Sequence, residues 1–205
     1  MVEKVALVMP LKSFANGKAR LASVLDADLR ERLSRECAER VVAAAGGIPT
    51  VVVTGATDSD DVRDWALSRT LTCITQSTPG LNGAIADGIA WVRDAGFDMA
   101  IIAHSDIPLA ENVAPYVDAG GVVIVPDTAN DGTNLMSLPT SVDFTFHYGP
   151  GSFALHVEEA MQRGFAPRIA LSDGWSHDLD TPDDLNDPRI REVFPWLPMN
   201  QASPQ

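Results

Sequence analysis

Short apolar segments alternate along the chain with segments of helical periodicity, and this alternation constrains the fold more than any other feature. The apolar segments are VALVM, TVVVTG, LTCIT, DMAIIAHSD and GVVIVPD. Near-continuous apolar runs are typical of strands that are buried on both faces of a parallel sheet. The repeated order of strand and helix predicts a mostly parallel sheet with helices on both faces, which is a three-layer, Rossmann-like α/β fold.

Helical signals separate these apolar segments. Residues 28–45 repeat apolar side chains at helical spacing, and residues 58–68 begin with acids, as the helix dipole favours. Residues 81–96 end in a glycine and residues 153–164 follow the loop HYGPGS, so both are predicted helices. The segments LMSLP, PRIALSD and SHDLD predict further strands, and PLAENVAPYVDAG and TPDDLNDP predict short helical turns.

The length of 205 residues indicates one compact domain. We place it at residues 1–192 and expect residues 193–205, which contain three prolines, to form a loosely ordered tail. No apolar run approaches the roughly 18–20 residues that cross a bilayer. The two cysteines, Cys37 and Cys73, provide no framework of disulfides. A cytoplasmic location without membrane contact is therefore predicted.

The positive charge of the chain is unevenly distributed. The formal net charge is −13 at pH 7, which argues against a surface that coats nucleic acid. The only lysines are Lys4, Lys12 and Lys18, and the last two lie with Arg20 in the loop after the first strand. In a parallel sheet this loop lies at the carboxyl ends of the strands, where ligands bind. We expect this loop to contact nucleotide phosphates; the alternative is a set of solvated surface cations.

Three aspartates occupy positions suited to a metal. Asp106 follows the strand MAIIAH, and Asp178 and Asp180 lie two residues apart in HDLD. Side chains two apart on an extended segment point to the same side, so this pair can converge on one point. Carboxylate oxygens and substrate phosphates are the ligands that Mg²⁺ prefers. The alternatives are a helix cap for Asp180 and an ordinary turn before proline for Asp106.

Two glycine-containing loops are suited to bind an anion. ANDGTN adds the hydroxyl of Thr133 to a turn, and in HYGPGS two glycines precede Ser152, which opens a helix. Free backbone N–H groups and the positive end of the helix dipole then meet at one place. The alternative is an ordinary turn with a serine cap.

These motifs occur together in a known family. PLKSFANGKARLA, LNGAIADG, SDIPL, DGTN, YGPGSFALH and DLDTPDDL resemble, in this order and over residues 5–187, the phospholactate and phosphoenolpyruvate guanylyltransferases of deazaflavin coenzyme (F-420) biosynthesis. The resemblance implies a sheet of the nucleotide-diphospho-sugar transferase (GT-A-like) type. It also implies transfer of GMP from GTP to the phosphate of a small three-carbon phosphoacid, with release of pyrophosphate.

The resemblance assigns roles to four groups of residues. It implies a Mg²⁺ site with three carboxylates: Asp106, Asp178 and Asp180. It implies an acceptor site with three members: Thr133, Gly149 and Ser152. It implies catalytic cations that meet the GTP phosphates: Lys12, Lys18 and Arg20. It implies recognition of the base by two residues near the helix at 81–96: Gly80 and Asn82.

The residues leave several alternatives open. Phosphoenolpyruvate is the acceptor favoured by analogy, whereas 2-phospho-L-lactate, 3-phospho-D-glycerate and a non-catalytic nucleotide-binding domain of the same fold are alternatives. A homodimer is left open. His104 departs from the small or apolar residue expected before the aspartate of SDIPL. His147 and His177 flank the expected site, and His156 is expected to be structural. An acceptor phosphate with a second pKa near 6 needs no catalytic base at neutral pH.

Overall fold

A computed structural model of the chain describes residues 3–55 and 60–198. Its strands are β1 Val5–Pro10, β2 Thr50–Thr54, β3 Thr72–Thr75, β4 Met99–Ala103, β5 Val123–Pro126, β6 Thr133–Pro139 and β7 Arg168–Ile169. Its α-helices are α1 Ala27–Ala44, α2 Asp60–Ser68, α3 Leu81–Asp94, α4 Ser152–Gln162 and α5 Pro188–Val193. Short 3₁₀ helices span Ala19–Ser23, Ala114–Tyr116 and Asp184–Asn186. The first two residues of the helix predicted at 58–68 lie outside the described residues.

The strands form one mixed, mostly parallel sheet in the order β3-β2-β1-β4-β6-β5-β7. β1 pairs in parallel with both β2 and β4, and β6 runs antiparallel between β4 and β5. The loops that follow β1, β2 and β4 therefore leave the sheet at the same edge. This topology confirms the predicted fold class and places the lysine loop beside Asp106.

Apolar side chains cover both faces of the sheet. On β1, Leu7 and Met9 join a buried cluster with residues of α1 and α2, whereas Ala6 and Val8 join a second cluster with residues of α3 and α4. Successive side chains of a strand point to opposite faces, so one apolar strand supplies both clusters. The three-layer arrangement of helix, sheet and helix follows from this pattern.

Helix α3 approaches the sheet most closely at Gly88. A Cβ atom there would lie 2.5 Å from Val8 Cγ1 and 2.9 Å from Val53 Cγ2. Glycine within a helix costs roughly 0.5–1 kcal/mol relative to alanine. Close packing of the helix on β1 and β2 explains why glycine occupies this position.

The late segments differ from the predicted elements. SHDLD is not a strand, and PLAENVAPYVDAG contains only the 3₁₀ turn Ala114–Tyr116. The Leu179 amide donates to the Asp106 carbonyl at 3.2 Å, and the Leu179 carbonyl accepts from Lys18. The segment therefore crosses the carboxyl end of the sheet instead of joining an edge, so its backbone has no strand to pair with.

The beginning of the predicted tail is packed. Phe194 and Leu197 are buried in a third cluster with Leu33 and Cys37 of α1. Residues 199–205 lie outside the described residues, so for them a loosely ordered tail stays a prediction. No helix within residues 3–55 and 60–198 is long and apolar enough to span a membrane.

We expect Gly88→Val to lower the free energy of unfolding by about 1–3 kcal/mol, because the added methyl groups would overlap Val8 and Val53. Urea denaturation measures this change. Ala86→Val introduces the same side chain on the exposed face of the same helix and should cost less than about 0.7 kcal/mol. Equal losses for the two variants would contradict the close approach at Gly88.

Candidate active site

A cavity of about 670 Å³ opens at the carboxyl ends of β1, β2 and β4. This volume is in the range of small-molecule sites. Five predicted site residues are among those that line it: Lys12, Lys18, Gly80, Asp106 and Asp180. The sheet topology thus brings the lysine loop and two of the predicted metal ligands to one cavity.

Lys18 lies at the centre of this region. Its side chain is 5% exposed, and Nζ lies 3.3 Å from Asp106 Oδ2 and 3.6 Å from Asp180 Oδ1. Nζ also donates to the carbonyl of Leu179. Burial opposes the positive charge and lowers the pKa of Lys18, but the nearby carboxylates, Asp106 foremost, outweigh it and raise the pKa overall. Lys18 is therefore a cation at neutral pH and joins three separate segments of the chain.

Asp106 carries an oxygen without a partner. The side chain is 31% exposed, but Oδ1 is buried and has no hydrogen-bond partner among the described residues. Burial acts to raise the pKa of Asp106, but the positive charge of Lys18 outweighs burial and lowers the pKa overall, so the carboxyl stays ionised. A buried acceptor without a partner costs about 1–3 kcal/mol or more if charged, so this oxygen is suited to a ligand or cation.

Asp178 is held close to the other two carboxylates. Asn134 Nδ2 donates to the carbonyl of Trp175 at 3.1 Å and lies 3.4 Å from Asp178 Oδ1. Burial raises the pKa of Asp178, as do the negative charges of Asp106 and Asp180. The structure therefore brings the three predicted carboxylates to one region, where they repel one another.

This cluster does not form a three-ligand metal site by itself. Within residues 3–55 and 60–198, no group of three or more His, Cys, Asp or Glu side chains could hold a metal ion. The Lys18 ammonium lies between Asp106 and Asp180 and neutralises part of their charge. Mg²⁺ typically needs only one or two carboxylates when waters and substrate phosphates complete its shell, so the donor set still fits this ion.

The other predicted cations are more exposed than Lys18. Lys12 is exposed at the cavity and makes no ion pair within the part of the chain that is described. Arg20 is 75% exposed, and its Nη1 lies 3.5 Å from Asp180 Oδ2. Lys12 is therefore available to a bound anion, whereas Arg20 lies on the solvent side of the carboxylates.

The two glycine-containing loops are joined to each other. Asp131 Oδ1 accepts from the Gly151 amide at 3.1 Å, and the Asp131 carbonyl accepts from the Phe153 amide at 2.9 Å. Gly149 and Gly151 have φ values of 134° and 74°, which side chains rarely allow. The connection brings the loop that carries Thr133 beside the first turn of α4.

Among the predicted acceptor residues, Thr133 and Ser152 are almost completely buried. They are 1% exposed, and neither is among the residues that line the large cavity. Thr133 Oγ1 lies 3.0 Å from His156 Nδ1. The Ser152 amide donates to the Gly149 carbonyl at 3.1 Å. Thr133 therefore lies at the start of β6, where it contacts His156 of α4, and Gly149 and Ser152 lie at the start of α4.

Asn82 connects the nucleotide side of the site to the HYGPGS loop. Its Oδ1 accepts from the Tyr148 amide at 2.7 Å, and its Nδ2 donates to the Tyr148 carbonyl at 3.2 Å. Both ends of the amide are thus in use, and Asn82 is not among the cavity-lining residues. Recognition of the base by Asn82 stays a prediction, whereas Gly80 lines the cavity directly.

The sequence did not reveal the surroundings of three polar side chains near the site: His104, Tyr148 and His156. His104 Nε2 and Tyr148 Oη are buried and have no hydrogen-bond partner among the described residues, and the two rings lie 5.2 Å apart. Burial raises the pKa of Tyr148, so its hydroxyl keeps its proton. His156, expected to be structural, contacts Thr133. Its position four residues after Ser152, on the same face of a helix, is a signal that could have revealed this contact.

The chain is similar to known guanylyltransferases. Residues 5–190 match the family model described as Guanylyl transferase CofC like. The phosphoenolpyruvate guanylyltransferase of Rubrobacter xylanophilus is 32% identical over 184 residues, which cover 87% of this chain and 90% of that protein. The 2-phospho-L-lactate guanylyltransferase of Methanothermobacter thermautotrophicus is 30% identical over 191 residues, which cover 90% and 83%.

Solved structures of the same fold include nucleotidyltransferases. A protein of Desulfovibrio desulfuricans G20, provisionally assigned as a nucleotide-diphospho-sugar transferase, has a TM-score of 0.74 at 14% identity and covers 95% of each chain. The 4-diphosphocytidyl-2C-methyl-D-erythritol synthase of Anaerococcus prevotii has a TM-score of 0.60 at 11% identity and covers 95% and 96%. These structures confirm the predicted type of sheet. Since the family model spans residues 5–190 and the relative from Rubrobacter xylanophilus is 32% identical over 87% of the chain, the chain belongs to the CofC-like guanylyl transferase family and is a nucleotidyltransferase.

Proposed function

We propose that the protein transfers GMP from GTP to phosphoenolpyruvate. An oxygen of the acceptor phosphate attacks the α-phosphorus of GTP, the bond from that phosphorus to the β-phosphate oxygen breaks, and pyrophosphate leaves. The product is enolpyruvyl-diphospho-guanosine. The main support is the position of the Lys18, Asp106 and Asp180 group, which lies on the wall of a nucleotide-sized cavity.

Different residues of the site are suited to bind each of the two anionic substrates. Lys12, exposed and without an ion pair in the described residues, is suited to bind the phosphates that leave as pyrophosphate. Thr133 and Ser152 are suited to bind the acceptor through their hydroxyls, and Gly149 through its backbone N–H, because the Ser152 amide already donates to the Gly149 carbonyl. The acceptor phosphate is largely a dianion at neutral pH, so no side chain has to remove a proton from it.

We also propose a Mg²⁺ ion beside Asp106. Two observations support a cation here: Oδ1 of Asp106 has no partner among the described residues, and burial together with the charges of Asp106 and Asp180 raises the pKa of Asp178. Asp106 would hold the ion, together with Asp178 or Asp180 and substrate phosphates. When bound, the ion supplies positive charge that neutralises the phosphates in the transition state.

The identity of the acceptor is the finer part of the proposal. The relatives from Rubrobacter xylanophilus and Roseiflexus castenholzii are named phosphoenolpyruvate guanylyltransferase, whereas the relative from Methanothermobacter is named for 2-phospho-L-lactate. The first two names favour phosphoenolpyruvate, and 2-phospho-L-lactate and 3-phospho-D-glycerate are the competing acceptors. A cytoplasmic location and a homodimer stay predictions from the sequence.

With GTP and Mg²⁺, we expect the protein to release pyrophosphate fastest when phosphoenolpyruvate is the acceptor. Competition among the three phosphoacids in one assay, with products separated by chromatography, measures the preference. Asp106→Asn should lower turnover by at least about 100-fold while the circular dichroism spectrum stays unchanged. GTP binding without pyrophosphate release from any of the three acceptors would favour the non-catalytic alternative.

We expect Lys18→Met to lower the free energy of unfolding by about 2–3 kcal/mol, because it leaves the charge of Asp106 without its partner. The loss should fall short of the full value for a completely buried pair, since Asp106 is partly exposed. Arg20→Met removes an exposed cation that also lies beside Asp180 and should cost less than about 1 kcal/mol. Chemical denaturation measures the free energy of unfolding of both variants. Decreases of similar size in the two variants would contradict the central position of Lys18.

We expect Asp178→Asn to raise the melting temperature at pH 7 without metal, because it removes a carboxylate that its neighbours repel. The pKa of Asp178 is higher in the folded state than in the unfolded state. Ionisation of this carboxyl therefore destabilises the fold as the pH rises through these two pKa values. The gain should therefore shrink on acidification towards pH 4, where wild-type Asp178 takes up a proton. Differential scanning calorimetry across this pH range measures the effect.

The same variant tests the proposed ion. Mg²⁺ should raise the melting temperature of the wild-type protein more than that of Asp178→Asn, since binding to the folded state stabilises it. Asp173→Asn, an acid in an exposed turn outside the cavity, serves as the control and should respond like the wild type. A Mg²⁺ response that is equal in all three proteins would remove Asp178 from the metal site.

A further inference from the structure

His156 is completely buried on α4 and uses both ring nitrogens. The backbone amide of His147 donates to Nε2 at 2.9 Å, and Nδ1 lies 3.0 Å from Thr133 Oγ1. The ring of Tyr148 packs edge-on against it, with centroids 4.6 Å apart. The imidazole therefore bridges the loop HYGPGS and the first residue of β6.

The two contacts determine where the histidine proton resides. A backbone amide only donates, so Nε2 must accept and carries no hydrogen. In a neutral imidazole the proton is then on Nδ1. Burial, with the neighbouring His147 and His104, lowers the pKa of His156 to about 4, so the ring is neutral at neutral pH. Nδ1–H consequently donates to Thr133 Oγ1.

Because His156 donates to Thr133 Oγ1, the hydrogen of the Thr133 hydroxyl is itself free to be donated. Oγ1 accepts from His156, and no other hydrogen-bond partner of Oγ1 is found in the part of the chain that the structure describes. A buried hydroxyl without an acceptor for its hydrogen is costly. The free donor belongs to Thr133, one of the three residues to which the acceptor phosphate is assigned above.

We propose that His156 is a positioning residue that turns the Thr133 hydroxyl into a hydrogen-bond donor for the phosphoacid acceptor. The inference rests on the proposed function. His156 touches neither reacting atom and acts through Thr133. Through the His147 amide the same ring also holds the HYGPGS loop at a set distance from β6, so the two halves of the acceptor site move together.

Two amide substitutions separate the two contacts of the ring. The amide of Gln reaches the position of Nε2, so His156→Gln can still accept from the His147 amide but loses the donor to Thr133. The amide of Asn reaches the position of Nδ1, so His156→Asn can still donate to Thr133 and loses the bond to the loop. Comparing them distinguishes orientation of the hydroxyl from support of the loop.

We expect His156→Gln to raise the KM for the phosphoacid by about 5–10-fold, which is the loss of one oriented hydrogen bond, with the KM for GTP unchanged. His156→Asn should keep the acceptor KM within about threefold of wild type. In a Thr133→Val background, which has no hydroxyl to orient, His156→Gln should have little further effect on that KM. Thr133→Ser keeps a hydroxyl and should preserve the sensitivity to His156→Gln.

Each outcome decides between the two explanations. Additive effects of His156→Gln and Thr133→Val, or equal rises in the KM for GTP and for the acceptor, would show a structural role and overturn the inference. A nitrogen-15 NMR spectrum of the wild-type protein should show the Nδ1–H tautomer of His156, and an Nε2–H tautomer would also overturn it. If the wild-type protein used no phosphoacid at all, the proposed function would fail first, and the inference with it.

Discussion

The structure of the site depends on one buried cation. The ammonium of Lys18 lies within 3.6 Å of carboxylates from two distant segments and donates to a backbone carbonyl between them. This contact draws the segment after α4 across the carboxyl end of the sheet, where it cannot add a strand. Without the lysine, the partly exposed carboxylates of Asp106 and Asp180 would repel each other. The lysine therefore holds Asp106 and Asp180 near each other and neutralises part of their charge.

The charge of the whole molecule is consistent with this arrangement. A chain with a formal net charge of −13 must bind two anionic substrates, and it places two of its three lysines, Lys12 and Lys18, at the carboxyl edge of the sheet. Lys18 is used within the protein, whereas Lys12 faces the cavity. Thr133, Gly149 and Ser152, to which we assign the acceptor, carry no charge, so under this proposal hydroxyl and backbone donors bind its phosphate. A donor whose direction is set by a neutral histidine provides attraction there without adding a further charge.

Part of this site was predictable from local patterns. The first lysine loop follows an apolar strand, and the carboxyl ends of parallel strands meet at one edge, so the approach of Lys18 to Asp106 follows from the order of elements. The convergence of Asp178 and Asp180 was expected from strand alternation, but these residues reach the site on a crossing loop. The contact of Asn82 with Tyr148 joins residues far apart in the sequence, and no periodicity reveals it. For the contact of His156 with Thr133 the only local signal is the four-residue spacing of Ser152 and His156 on one helix face.

The sequence by itself determined the layers of the fold, because apolar strands and amphipathic helices can bury their surfaces in few ways. It also determined which loops collect at the ligand-binding edge, and the family to which the chain belongs. Only the tertiary structure decided which lysine is buried, which carboxylate oxygen lacks a partner among the described residues and which side chain Thr133 Oγ1 contacts. Those properties depend on distances of a few ångströms between side chains on separate segments, and such distances are set by packing of the whole chain and not by local spacing.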